Sequence, residues 1–215
     1  MPAVATAEVD TKKKSLHATQ AETQRVKILR QQYWQSIREV RPEDLIFIDE
    51  TGVNLALVRL YARALKGQRA YGERPYSRGT NVTLIGAIAL TGFVGAMTVE
   101  GGTNGDVFIT FVEQILVPNL WPGACVVLDN LPAHKVAGVR AAIEAAGARL
   151  VYLSPYSPDF NPIENSWSKL KAYLRSVAAR TRDALDEAVS AALDLVRLKD
   201  IRNWFAHCCY CTSYD

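Results

Sequence analysis

The 215-residue chain is short of the residues that staple or metallate small proteins: it has 4 Cys, 3 His and 2 Met. Three of the cysteines, Cys208, Cys209 and Cys211, crowd the C-terminus and the fourth is Cys125, so no disulfide framework can brace the fold and a reducing compartment is expected. The tail His207-Cys208-Cys209-Tyr210-Cys211 lacks a second ligand pair at a zinc-binding spacing. There is no Gly-x-x-x-x-Gly-Lys-Ser/Thr loop and no dinucleotide fingerprint after a strand, which argues against ATP-driven or nicotinamide chemistry and any nucleotide cofactor. The first residues contain no basic segment followed by an apolar run, so no secretory signal is read and a cytoplasmic location is expected. Charge is nearly balanced, 25 Lys and Arg against 22 Asp and Glu, and the net +3 is too small to define a nucleic-acid binder without knowing its distribution.

What is present is the composition of a folded protein, 49% hydrophobic and 22% charged. Between Arg78 and Glu100 the chain carries no charge, long enough for a membrane helix. Gly79, Gly86, Gly92 and Gly95 interrupt it and Thr91-Gly92 separates two apolar runs, so a hairpin of strands Val82 to Leu90 and Phe93 to Val99 is predicted, with no membrane association.

Residues 1–41 form a polar arm ending in a helix, stopped by Pro42, and 42–215 form the folded domain. Leu45 to Ile48, Cys125 to Leu128 and Leu150 to Leu153 are short apolar runs typical of buried strands. Helices are predicted over Gly105 to Val117, Val136 to Ala146, Pro162 to about Val177 and Arg182 to Leu198. Antiparallel strands followed by strand–helix alternation indicate an α/β fold, a mixed sheet with helices on both faces. Trp34, Trp167 and Trp204 lie on apolar helix faces and are read as packing residues.

Acids sit at three element ends. Asp49 and Glu50 follow the first buried strand, Asp129 follows the second, and Glu164 opens a helix. Neighbouring strand ends share a crevice in open α/β sheets, so Asp49 and Asp129 can converge, and a helix start can bring Glu164 to them. Clustered carboxylates raise each other's pKa unless cations neutralise them, and hard oxygen ligands favour Mg²⁺ or Mn²⁺, two of which form a clamp for phosphoryl displacement. Each acid also has a local alternative. Asn161-Pro162-Ile163-Glu164 is a good capping sequence, and on local pattern alone capping is the stronger reading of Glu164. Asp49 can begin a turn through Glu50-Thr51-Gly52, and Asp129-Asn130 can be turn chemistry before Pro132.

Phe47-Ile48-Asp49-Glu50-Thr51-Gly52, Val127-Leu128-Asp129-Asn130 with Ala133-His134, and Ser154-Pro155-Tyr156-Ser157-Pro158-Asp159-Phe160-Asn161-Pro162-Ile163-Glu164 with Trp167 resemble the catalytic domain of mariner-type DDE transposases, more narrowly their bacterial insertion-sequence branch. Thirty-four residues separate Asp129 from Glu164, as in that family's pattern. The resemblance implies a ribonuclease-H-like five-stranded mixed sheet and two Mg²⁺ or Mn²⁺ ions on an Asp49, Asp129, Glu164 triad. The implied reaction is hydrolysis at transposon ends and attack of the freed 3′-hydroxyl on target DNA, usually at TA. It further implies a homodimer on paired DNA ends in a nucleoid-associated bacterial protein. Family members carry an N-terminal helix-turn-helix region that the polar arm is too short to hold, and Lys13-Lys14-Ser15-Leu16-His17-Ala18 resembles the junction after it. An upstream-frame helix-turn-helix partner joined by frameshifting, or a catalytic remnant, is the implied explanation. A same-fold nuclease without strand joining and an inactive DNA-binding or regulatory remnant are the alternatives.

Adjacent strand residues point to opposite faces, so only one of Asp49 and Glu50 can face the site, and Asp49 is chosen. Glu50, Asn130, His134 and Asn161 are candidates for supporting positions; His134 is read either as a turn histidine or as a contact to DNA or a metal-bound water. Arg59, Arg63, Lys66, Arg69, Arg74 and Arg78, interleaved with Tyr61, Tyr71 and Tyr76, suit a DNA backbone or a solvated loop equally, as do Lys169, Lys171 and Arg175 on the last helix of the motif.

Overall fold

The computed structural model describes residues 22–211; the arm's lysine cluster and the junction motif lie outside them. Five strands form one sheet: β1 (Leu45–Val53), β2 (Val82–Ala89), β3 (Gly92–Glu100), β4 (Cys125–Leu128) and β5 (Arg149–Tyr152), in the order β3-β2-β1-β4-β5. β3, β2 and β1 are antiparallel, while β4 and β5 run parallel to β1. The expected mixed five-stranded sheet is therefore present, and the uncharged stretch is its hairpin, with Gly92 at φ 135° turning the chain where other residues are strained. No helix among the described residues is long and apolar enough to cross a membrane.

Strand alternation divides the core in two. Leu45, Phe47 and Val53 of β1 and Cys125 and Val127 of β4 pack beneath α1 (Gln24–Ile37), α4 (Pro162–Val177), α5 (Arg182–Asp194) and α6 (Leu198–His207). Ile46, Ile48, Val126 and Leu128 face the other way, onto α2 (Gly105–Phe111) and α3 (Val139–Ala145). Helices thus cover both faces. Tyr33 and Ile37 of α1 lie in the first layer, where Tyr33 stacks on Phe160 at 5.6 Å and shares a 2.6 Å hydroxyl hydrogen bond with Tyr210. Phe47, fully buried against Phe205 and Tyr210, fills volume whose loss on truncation to alanine costs about 3–5 kcal/mol.

Four boundaries differ from the sequence reading. β1 continues past Ile48 to Val53, because β2 pairs with it through Val53↔Val82 after β4 stops at Phe47↔Val127. Asp49 is therefore a mid-strand residue, and the turn through Glu50-Thr51-Gly52 does not form. The helix expected from Val136 starts at Val139, because Gly138 adopts φ 101° before it. The helix from Gly105 remains helical through Leu116 but widens into a π turn over Val112–Leu116. The single helix expected over Arg182 to Leu198 is two, α5 and α6, broken at extended Arg197, whose backbone N–H donates to Asp200 in a capping box. No glycine or proline marks that break.

Candidate active site

The parallel pairing of β1 and β4 places two acids side by side. Two residues beyond the paired Phe47 and Val127 come Asp49 and Asp129, on the same side of the sheet as those two residues. Pro162, with its fixed φ and no N–H to satisfy, starts α4 above them, and Glu164 follows in its first turn. All three acids, with Asn130, Tyr156 and Asn161, line one cavity of about 470 Å³.

The capping alternative is not realised. Asn161 makes no side-chain cap bond, and its buried Oδ1 has no partner among the described residues. The helix is instead entered through its backbone, where Glu164 N donates to Asn161 O at 3.2 Å.

Burial and the proximity of Glu164 push the Asp49 carboxyl up to about 7, against backbone and Trp167 hydrogen bonds that favour the ion. Trp167, one turn after Glu164, donates its indole Nε1–H to Asp49 Oδ2 at 3.0 Å. Gly86, paired with Asp49 across β2, makes room for that ring: a Cβ there would sit 2.7 Å from Trp167 Cη2. Trp167 is thus both core and site, a role that its apolar helix position did not disclose. Glu164, at the solvent edge, is raised by desolvation of its carboxyl end and by Asp129, with Lys171 pulling the other way.

Asp129 has the opposite balance. Burial raises it but is outweighed by His134, the Leu131 N–H (3.0 Å to Oδ1) and Lys135, so its pKa is lowered. His134 is completely buried, with Nδ1 at 2.6 Å from Asp129 Oδ1, an ion-pair distance without hydrogen-bond alignment, and Nε2 at 2.8 Å from Glu50 Oε1. Desolvation opposes its charge, yet the two carboxylates overcome it and raise His134 to about 9. Glu50 therefore points away from the cavity to the opposite face, where His134 meets it, as β alternation requires. Asn130 Nδ2 donates to Leu153 O, tying the end of β4 to the end of β5.

The basic candidates divide. Arg59, Arg63, Lys66, Arg69, Arg74 and Arg78 lie in residues 54–81, which carry no helix or strand, and all six side chains are exposed and make no ion pair or hydrogen bond among the described residues. Lys169 is occupied, donating to Leu195 O at 2.7 Å and Asp200 Oδ2 at 2.6 Å. That clasp between α4 and α6 is structural. Lys171 lies close enough to Glu164 to lower its pKa. In the tail, Cys208 is buried in the core, Cys209 is exposed and all four cysteines are free.

Among the described residues no three His, Cys, Asp or Glu side chains form a ready-made metal cage. The donors lining the cavity nevertheless suit a hard divalent cation. They include three carboxylates and one unpartnered buried amide oxygen, and Glu164 adds to the burial that raises the Asp49 carboxyl, a repulsion that a cation would cancel.

A mixed sheet in this order with acids at the ends of β4 and α4 defines a ribonuclease-H-like fold. The chain belongs to the DDE superfamily endonuclease family, which matches residues 44–186. The fold is similar to that of the Mos1 transposase paired-end complex with left transposon end (TM-score 0.76, 14% identity, 93% of this chain and 63% of that one). It is also similar to the Mos1 mariner paired end complex with Mn (0.72, 14%, 98% and 67%) and to the catalytic domain of Mos1 mariner transposase (0.62, 12%, 91% and 91%). The chain thus spans 63% of the transposase chain in the first of these structures. No curated protein matches the chain by sequence.

Proposed function

We propose that this chain is the catalytic domain of a mariner-type transposase of the bacterial insertion-sequence branch. It cleaves phosphodiester bonds at transposon ends and joins the freed 3′-hydroxyl to target DNA, most often at TA. The observation that carries this reading is the convergence of Asp49, Asp129 and Glu164 from three elements onto one cavity in a DDE superfamily endonuclease. These three carboxylates would hold two Mg²⁺ or Mn²⁺ ions. When bound, the ions neutralise charge and supply Lewis-acid activation for in-line displacement at phosphorus.

The chain's own groups set the stage for that step. Trp167 fixes one oxygen of Asp49, and His134, held by Glu50, sits on one oxygen of Asp129 together with the Leu131 N–H, leaving Asp129 Oδ2 for the cavity. Water or a DNA 3′-hydroxyl is the attacking group in this reading, and the Ser154 and Ser157 hydroxyls, which bond each other at 2.7 Å, hold the neighbouring loop. The exposed cations of residues 54–81, with Lys171, carry the DNA backbone contacts, and affinity falls steeply with salt. Residues 1–41 are read as an arm leading into the catalytic domain, 42–215, and the active species as a homodimer on double-stranded DNA in the bacterial cytoplasm, associated with the nucleoid.

Nicking of supercoiled plasmid with Mn²⁺ or Mg²⁺ tests the reading. Nicking by the wild type, abolished by each of Asp49→Asn, Asp129→Asn and Glu164→Gln, is expected. Absence of nicking even after fusion to a related helix-turn-helix region contradicts it and favours an inactive remnant, and a strand-joining assay separates a transposase from a nuclease.

A further inference from the structure

The loop from β5 to α4 is fastened on both sides of one residue. Ser154 and Ser157 are buried and bonded to each other, and Ser157 Oγ also bonds Pro155 O at 3.2 Å. Arg30 of α1 donates to Ser157 Oγ at 2.8 Å and grips Asp159 with two bonds of 3.0 and 2.6 Å while lying 3.8 Å over the Phe160 ring. Between these anchors Tyr156 has φ 54°, the left-handed region that a non-glycine residue with a bulky ring rarely occupies.

The strained residue has no polar or aromatic partner of its own. Tyr156 is 52% exposed, and among the described residues it makes no hydrogen bond and no ring contact. Its side chain nonetheless lines the cavity that holds Asp49, Asp129 and Glu164. A loop pinned this firmly, holding a free aromatic ring at a site mouth, is built for a ligand with a flat uncharged face. The carboxylates, once charge-compensated, serve the phosphate, so the ring is left for the base.

Building on the phosphodiester-cleaving function proposed above, we propose that Tyr156 is a stacking platform for an unpaired nucleobase next to the phosphodiester bound at the acids. A base inside a duplex is already stacked on its neighbours, so the platform selects a strand whose base is unpaired or extruded.

The test uses the full chain with Ca²⁺ and short single-stranded oligonucleotides carrying 2-aminopurine, stepped one position at a time. Anisotropy reads binding, and quenching of 2-aminopurine reads stacking. The wild type and Tyr156→Phe are expected to bind and to quench at one or two adjacent positions. Tyr156→Gly is expected to bind about ten-fold more weakly and to quench nowhere, because a stacked base is typically worth that much or more. Its melting temperature is expected to equal or exceed the wild type's, since glycine relieves the left-handed backbone. Undiminished binding and quenching by Tyr156→Gly, or a lowered melting temperature, overturns the proposal. A wild type that binds without quenching, or that does not bind, overturns the platform alone; the functional reading on which it rests falls only if the plasmid-nicking test above fails.

Discussion

Two halves of one acidic centre handle burial in opposite ways. On the β4 side, Asp129 and Glu50 share the buried imidazolium of His134, and the Asp129 pKa falls. On the β1 and α4 side, Asp49 lies near Glu164 and has only a backbone N–H and the Trp167 indole N–H to favour its charge, and both acids are raised. The first half is internally complete. The second has only Lys171, whose pull on Glu164 is outweighed by burial, and buried carboxylates left without full compensation are the pattern expected where a ligand completes a site.

The comparison breaks most visibly on substitution of the acids. Asp49→Asn and Glu164→Gln should each reduce metal-dependent nicking by about a thousand-fold or more, since charge stabilisation of several kcal/mol is lost. The same Asp49→Asn should raise the metal-free melting temperature at pH 8, which a denaturation series reads directly. His134→Ala should do the reverse, destabilising the protein by about 3–5 kcal/mol by leaving two carboxylates without their cation.

Stability against pH sharpens the contrast. Asp49, raised to about 7 from the ordinary carboxylate range, favours the fold fully below its unfolded value, and that contribution is lost as pH climbs to about 7. His134 contributes fully below about 6.5 and loses its contribution as pH rises through about 9. Metal-free protein should therefore lose stability steadily from pH 5 to 9 in urea titrations, and saturating Mn²⁺ should flatten the lower part of that curve.

Smaller effects probe the supports. Trp167→Phe keeps most of the packing but loses the bond to Asp49, with an expected cost of about 1.5–3 kcal/mol. Gly86→Ala drives a Cβ into the same ring and should cost about 1–3 kcal/mol. Lys169→Ala, at a half-exposed ion pair, should cost no more than about 1 kcal/mol and leave nicking and DNA affinity unchanged.

Much of this arrangement was legible before the structure. The apolar runs at Leu45, Cys125 and Leu150, the Thr91-Gly92 turn and the Pro162 start define the strands, the hairpin and α4 by local rules, while alternation put Asp49 and Glu50 on opposite faces and the family resemblance chose Asp49. The extension of β1 was not legible, because it depends on pairing with a strand about thirty residues away. The break between α5 and α6 rests on one extended residue in an otherwise helix-compatible stretch. The Trp167–Asp49 bond and the His134 bridge join residues 118 and 84 positions apart, and each partner has an ordinary local explanation. Gly86, read in the sequence only as a break in the uncharged stretch, makes room for that ring through a pairing with Asp49 that the structure reveals.

The most direct measurement of the central claim is a calorimetric Mn²⁺ titration at pH 6 in two buffers of different ionisation enthalpy, with wild type, Asp49→Asn and Glu50→Gln. The account predicts proton release on binding by the wild type, loss of binding in Asp49→Asn, and binding within about ten-fold of wild type in Glu50→Gln, which alters only the support of a ligand. Equal binding by Asp49→Asn and wild type, or loss of binding in Glu50→Gln alone, would contradict it.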